Sequence, residues 1–210
     1  MSLYRRFVLP RLIDFAMSNV DTARVRAQVV PRARGVTLEL GIGSGLNLPF
    51  YSGEVTRLYG VDPSPELHAM ARRRAVESSR PLELLLQSAE EPLPLQDHSV
   101  DSVVVTWALC SIPDPIRALQ QARRVLRPEG ELYFAEHGRA PAAGVRKWQD
   151  RLNPIWKRVT GGCNMNRQTD QLIRAAGFEI AELSQEFLPG PKVLTYTYQG
   201  RARALTSPAS

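Results

Sequence analysis

A run of alternating glycines, Glu39-Leu40-Gly41-Ile42-Gly43-Ser44-Gly45, closes a short apolar stretch, Val36–Leu40, and leaves few folds open to this chain. A glycine run alone is weak. Here a second strand-length segment, Leu58–Val61, ends at Asp62, 21 positions after Gly41. In open α/β sheets, ligands bind beyond the carboxyl ends of the strands, which brings both features to one edge. Glycines let a ligand approach the backbone, and a carboxylate at that edge can accept both hydroxyls of a ribose.

Strands and helices alternate along the rest of the chain. Leu82–Leu86, Ser102–Trp107 and Glu131–Ala135 read as further strands, with Phe178–Leu183 and Val193–Tyr198 as a closing hairpin. Helical spacing runs through Pro65–Val76, Asp114–Leu126 and Thr169–Ala176, with Ser64 and Asp114 as N-caps and Gly177 as a stop. This order predicts a Rossmann-like, doubly wound α/β fold, with a mostly parallel seven-stranded sheet and an antiparallel C-terminal edge strand. Residues 1–34 form a helical cap, 35–200 the main domain with 137–165 inserted, and 201–210 a tail.

Charge marks the same divisions. The net charge is +6, yet residues 1–34 carry +5 and residues 137–165 another +5, so the remainder is acidic at −4. Solvated basic helices explain this, as does attraction of an anionic substrate or a peripheral membrane contact through the basic N-terminal segment. Pro10, Arg11 and Asp14 break any signal-peptide core, and no apolar run approaches a membrane span. A cytoplasmic location is expected. Cys110 and Cys163 supply neither a disulfide framework nor a CxxC zinc pair, and no metal is expected. Nothing in the sequence points to an oligomeric state.

The glycine spacing separates two cofactors. A dinucleotide fingerprint has glycine at its sixth position, where this chain has Leu46, and Pro49 interrupts the helix that should follow. The run resembles motif I of class I S-adenosylmethionine (SAM)-dependent methyltransferases. Ser88-Ala89-Glu90 before Ser99-Val100-Asp101, and Arg123–Gly130 before the fifth strand, are similar to that superfamily as well. The resemblance implies that Gly41, Gly43, Gly45 and Asn47 line the methionine and ribose, and that Asp62, followed by Pro63, binds the ribose diol. It implies that Glu39 anchors the methionine ammonium and that Ala89 faces the adenine. Ser88 stands where relatives often have Asp, so the adenine amino contact passes to Glu90. Trp107 is the candidate aromatic beside the sulfonium, or an ordinary core tryptophan.

Some acceptors are excluded. No polar-Pro-Pro-aromatic motif follows the fourth strand and neither cysteine follows proline, so base methylation and nucleic-acid partners are not expected. Leu109–Pro115, Glu136-His137, Asn153-Pro154-Ile155-Trp156-Lys157 and Gly161–Arg167 resemble the methyltransferase-like 7 group of animal proteins, which is associated with alkyl thiol S-methylation. That resemblance implies a small thiol acceptor and S-adenosylhomocysteine as product. His137, Cys110 and Cys163 are the catalytic candidates, and Tyr4, Cys110, Trp156, Asn164 and Arg167 the substrate-binding ones. A quinone or phospholipid-headgroup acceptor, or SAM binding without turnover, are the alternatives.

Overall fold

A computed structural model describes residues 4–78 and 81–205. Parallel strands β1 (Gly35–Leu40), β2 (Val55–Val61), β3 (Leu82–Leu85), β4 (Val100–Thr106) and β5 (Leu126–His137) alternate with helices α3 (Pro65–Ser78) and α4 (Pro115–Val125). Ahead of them stand α1 (Leu9–Met17) and α2 (Val20–Val29); after β5 come α5 (Ala143–Val159) and α6 (Thr169–Ala175). The chain ends in β6 (Phe178–Phe187), a single turn α7 (Lys192–Thr195) and β7 (Tyr196–Ala204). The sheet order is β3-β2-β1-β4-β5-β7-β6, with β7 antiparallel to both of its neighbours. This is the expected doubly wound fold.

Strand alternation divides the core between the two sheet faces. On β4, Val103 and Val105 point to the face covered by α4 and α6, while Val104 points to the α2 face. On β5, Leu132 and Phe134 alternate likewise with Tyr133 and Ala135. Glu39, between Leu38 and Leu40, is thereby buried at only 2% exposure.

Several element boundaries differ from those expected. Pro10 sits in the first turn of α1, where a missing N–H costs nothing, behind a short π-helical turn, Tyr4–Val8. Val193–Thr195, read as strand for its β-branched residues, is helical, because the Thr195 carbonyl turns back to accept from the Leu188 N–H. The strand starts at Tyr196 and runs through Gly200, which lies in register between Phe134 and Leu183. Arg201–Ala204, assigned to the tail, complete β7, and residues 206–210 lie outside the described residues. Lastly, β5 opens at Leu126, earlier than the expected Glu131, and a register irregularity between Leu126 and Glu131 takes up Arg127–Gly130.

Candidate active site

The carboxyl ends of β1, β2 and β4 border a cavity of about 320 Å³, within the size range of small-molecule sites. Glu39, Gly41, Gly43, Asn47, Asp62, Pro63, Ser88, Ala89 and Trp107, all singled out from the sequence, line it. Gly45 does not: a Cβ there would meet Leu48 at 2.8 Å and the Ala71 backbone at 3.1 Å, so this glycine lets α3 close on the loop. A Cβ at Gly43 would meet only the Gly41 carbonyl, at 3.9 Å, and the Gly43 N–H donates to Asp62 Oδ2 at 3.2 Å. Ser64 N–H donates to the other Asp62 oxygen at 2.9 Å. Burial outweighs these two donors and pushes the Asp62 pKa up to about 6.

Glu39 is the buried end of a polar chain. Asn47 Nδ2 and Tyr51 Oη each donate to its carboxylate at 2.8 Å, and Arg26 Nε donates to Asn47 Oδ1 at 3.0 Å. Burial raises Glu39 to about 8 against these partners and lowers Arg26 to about 10. The Arg26 guanidinium lies 4.8 Å from the centre of the Trp107 ring. Trp107 adopts a left-handed backbone (φ 48°), a conformation costing a bulky residue about 1–2 kcal/mol, and donates its N–H to the Ala135 carbonyl at 2.8 Å.

Arg26 escaped the sequence reading, which assigned it to a solvated basic segment. The signal was present: Thr22, Val25, Arg26 and Val29 are the buried residues of α2, so Arg26 falls on its inner stripe. The latch on α1 was missed as well. Asp14 Oδ1 accepts from Ser44 Oγ at 2.6 Å, and Arg74 pairs with Asp14 while donating to the Ser44 carbonyl. Burial opposes the Asp14 charge, but Arg74 and Ser44 more than offset it and hold the carboxyl below its usual range. Leu9, Ile13 and Met17 of α1 thus wall the cavity, and Leu9 packs on Gly161 of the segment after α5.

The remaining candidates do not line this cavity. Cys110, His137 and Cys163 bring one ligand-type atom each into a group spanning 4.8 Å, with Cys163 Sγ 3.3 Å from His137 Nε2. Trp156 Nε1–H donates to Cys163 Sγ at 3.4 Å. The Cys110 thiol and burial push the Cys163 pKa well above the usual thiol range. Burial works to lower His137, and the neighbouring Cys163 and Glu136 overcome it and raise it.

Asn164 and Arg167, expected to meet substrate, instead fasten loops. Asn164 donates from its backbone and from Nδ2 to the Cys110 carbonyl, at 2.8 and 2.9 Å. Arg167 spends its guanidinium on the carbonyls of Leu109, Ile112 and Pro113. Tyr4 Oη donates to the Val159 carbonyl at 2.9 Å, and neither it nor Trp156 lines the cavity. The Glu90 carboxylate accepts from Ser88 Oγ and from the Asp114 N–H, so it is occupied outside the cavity rather than offered to an adenine. Asp114 caps α4 by accepting from the Arg117 N–H at 3.0 Å.

Residues 38–134 match the methyltransferase domain family. Over 150 residues the chain is 33% identical to a phosphatidylethanolamine N-methyltransferase of Cereibacter sphaeroides, covering 69% of this chain and 72% of that protein. The chain belongs to the class I SAM-dependent methyltransferases. A second member of the family, the human thiol S-methyltransferase TMT1B, is 36% identical over 160 residues. That match covers 73% of this chain and 63% of the human protein, so the chain spans less than two thirds of that relative's length. The family fold is shared with a solved SAM-dependent methyltransferase from Methanosarcina mazei, with a TM-score of 0.67 and 22% identity over 86% of this chain and 96% of that one. SAM is the methyl donor of the family, and the residues lining the cavity suit it. The lining offers a cationic ligand two carboxylates, Glu39 and Asp62, and the Trp107 ring, and at Gly43 it presents bare backbone.

Proposed function

We propose that this protein transfers the methyl group of SAM to a small thiol. Asp62 accepts the ribose hydroxyls, Glu39 draws the methionine ammonium, Arg26 faces the methionine carboxylate, and the Ser88-Ala89 backbone meets the adenine. The cavity's make-up carries the reading. Beyond the cofactor residues it is walled by Leu9, Ile13, Ile112 and Pro113, and its described lining includes no histidine, lysine, tyrosine or cysteine. With Glu39 and Asp62 given to the cofactor, an acceptor must reach its nucleophilic form without a further base in the cavity lining. A thiol, with a pKa near about 8.5, leaves a few per cent thiolate at neutral pH, whereas an amine or phenol near about 10 leaves roughly a tenth of that or less. The similarity to thiol S-methyltransferases supports the same acceptor. The test is S-adenosylhomocysteine release with short alkyl thiols, a quinol and phosphatidylethanolamine vesicles. Release that depends on thiol supports the reading; release with only the quinol or the vesicles replaces it.

A membrane-facing acceptor is favoured by one observation. Phe15 is 82% exposed on α1, and Trp148 and Ile155 on α5 are 56% and 68% exposed, with Arg146, Lys147, Arg151 and Lys157 on the same helix. The Tyr4–Val159 bond brings the two segments together. Apolar residues amid cations suit the surface of an anionic bilayer. Among the described residues no helix is long and apolar enough to cross a membrane. Co-sedimentation with anionic vesicles, lost in Phe15→Glu, is expected if this surface engages lipid.

A further inference from the structure

Beside the cavity, three residues with soft or borderline ligand atoms converge from distant parts of the chain. Cys110 lies in the loop after β4, His137 is the last residue of β5, and Cys163 follows α5. Their ligand atoms all lie within 4.8 Å of one another. Around a tetrahedral zinc ion, bonds of about 2.3 Å to sulfur and about 2.0 Å to nitrogen hold ligand atoms about 3.5–3.8 Å apart. The observed separations, 3.3 Å for Cys163 Sγ to His137 Nε2 and none above 4.8 Å, bracket that spacing.

The surroundings hold the cluster in place. Glu136, fully buried, accepts the N–H groups of Ala108 and Leu109 at 2.6 and 2.9 Å and that of Cys110 at 3.4 Å. The Cys110 carbonyl in turn accepts from the Asn164 N–H and from its Nδ2, which also donates to the Gly162 carbonyl, tying the loop of one cysteine to that of the other. Arg167 binds three further carbonyls of the Cys110 loop, and its cation lies close enough to interact with both sulfurs. The Trp156 indole N–H points at Cys163 Sγ, the arrangement of a donor serving a metal-bound thiolate. Ser111, whose Oγ is 3.5 Å from Cys110 Sγ, lines the cavity, as does Gly161, two residues before Cys163.

We propose that Cys110, His137 and Cys163 bind a soft divalent cation of the zinc class, with the fourth position left for the sulfur of the acceptor. Three protein ligands with one position open is the pattern of catalytic rather than structural zinc, and thiolate with imidazole selects that class of ion. Two thiolates and a neutral imidazole neutralise the cation, and Arg167 offsets the charge of a third sulfur. In its role the proposal rests on the thiol reading; in the existence of the site it does not. On binding, the acceptor thiol gives its proton to solvent. The sulfur then uses a lone pair to form the bond to the methyl carbon. The sulfonium C–S bond breaks with its electron pair passing to the departing thioether, S-adenosylhomocysteine, and no oxidant or reductant is needed.

The test uses the full chain, reduced and freed of metal, titrated with Co²⁺. One equivalent should produce sulfur-to-cobalt charge-transfer absorption and the intense visible bands of a tetrahedral ion, both displaced by Zn²⁺. Cys110→Ser and Cys163→Ser should each weaken the charge-transfer band, and His137→Gln should shift the visible bands while leaving both sulfurs bound. Circular dichroism melts of the variants separate ligand loss from unfolding. No spectrum at one equivalent of wild-type protein would overturn the site, as would an unchanged spectrum in the double cysteine variant. Stripping the metal should lower thiol-dependent turnover by at least about tenfold, with Zn²⁺ restoring it and cofactor affinity unmoved. Equal turnover of stripped and loaded enzyme would overturn the activating role. Cobalt binding without turnover of any thiol would uphold the site and defeat the acceptor reading instead.

Discussion

Asp14 of α1 and Ser44 of the glycine run are joined by a hydrogen bond of 2.6 Å across 30 residues of chain. This bond, backed by Arg74, fastens the N-terminal helix to the loop that faces the cofactor. Replacing Asp14 with alanine removes both partners' acceptor. SAM affinity, measured by calorimetry, is expected to fall about threefold to tenfold, the worth of one partly buried ion pair. Arg74→Ala should do nearly the same, and the double variant should cost little more than either alone. Full additivity would mean that the two residues do not form one latch.

Cofactor affinity should depend on pH. Burial pushes Glu39 up to about 8 and Asp62 up to about 6, so at pH 6 the empty site holds a proton on Glu39 and, in about half the molecules, one on Asp62. A ligand bearing a sulfonium and an ammonium favours the ionised forms and expels those protons. Affinity should therefore climb from pH 6 to pH 8 and level off above. Calorimetry near pH 7 in two buffers of different ionisation heat should register proton release. A flat profile across that range would remove Glu39 from contact with the ammonium.

Asp62→Asn should exchange stability for binding. The folded pKa of Asp62, about 6, lies above its model-peptide value of 3.8, so the unfolded chain gives up its proton first as pH rises. The carboxylate consequently costs the empty protein stability at pH 7, and that cost fades as pH falls toward 4. The asparagine variant is expected to melt higher than wild type at pH 7.5, by about 1–2 kcal/mol of stability, and to lose that margin at pH 4. SAM binding should be lost at every pH. A lower melting temperature at pH 7.5 would mean that its two backbone bonds outweigh the desolvation.

Arg167→Ala separates loop fastening from charge recognition. Its donors go to three carbonyls of the loop that carries Cys110, and it does not line the cavity. Stability should drop by about 2–3 kcal/mol, and turnover of neutral and anionic thiols should fall by the same factor. A KM raised for the anionic acceptor alone would restore a direct role in substrate binding.

What the sequence disclosed and what it concealed follow from the range of the interactions. The glycine run, Asp62 and the Asp114 cap are local patterns, set by strand ends and first turns, and each is legible within a few residues. Gly45 was legible as a glycine but not in its task, because the atoms that require it belong to Ala71, 26 residues away. Arg167 looked like a substrate contact on account of its charge, and only the folded chain reveals three carbonyls within its reach. The meeting of Cys110 with Cys163 depends on how a long insertion returns to the sheet, which no period or spacing encodes. Arg26 was legible in principle, since it falls on the buried stripe of α2, but a segment rich in arginine masks the one that points inward.

That arginine makes the seating of the cap depend on the methyl donor. Arg26 belongs to α2 and also lines the cavity, where Asn47 couples it to Glu39. Whatever free energy the cofactor gains from the cap, the cap gains equally from the cofactor, since coupling between two equilibria is reciprocal. The N-terminal helices should thus be most firmly seated when donor is abundant. Their order is then a reading of cofactor occupancy, available to anything that touches the outside of the cap.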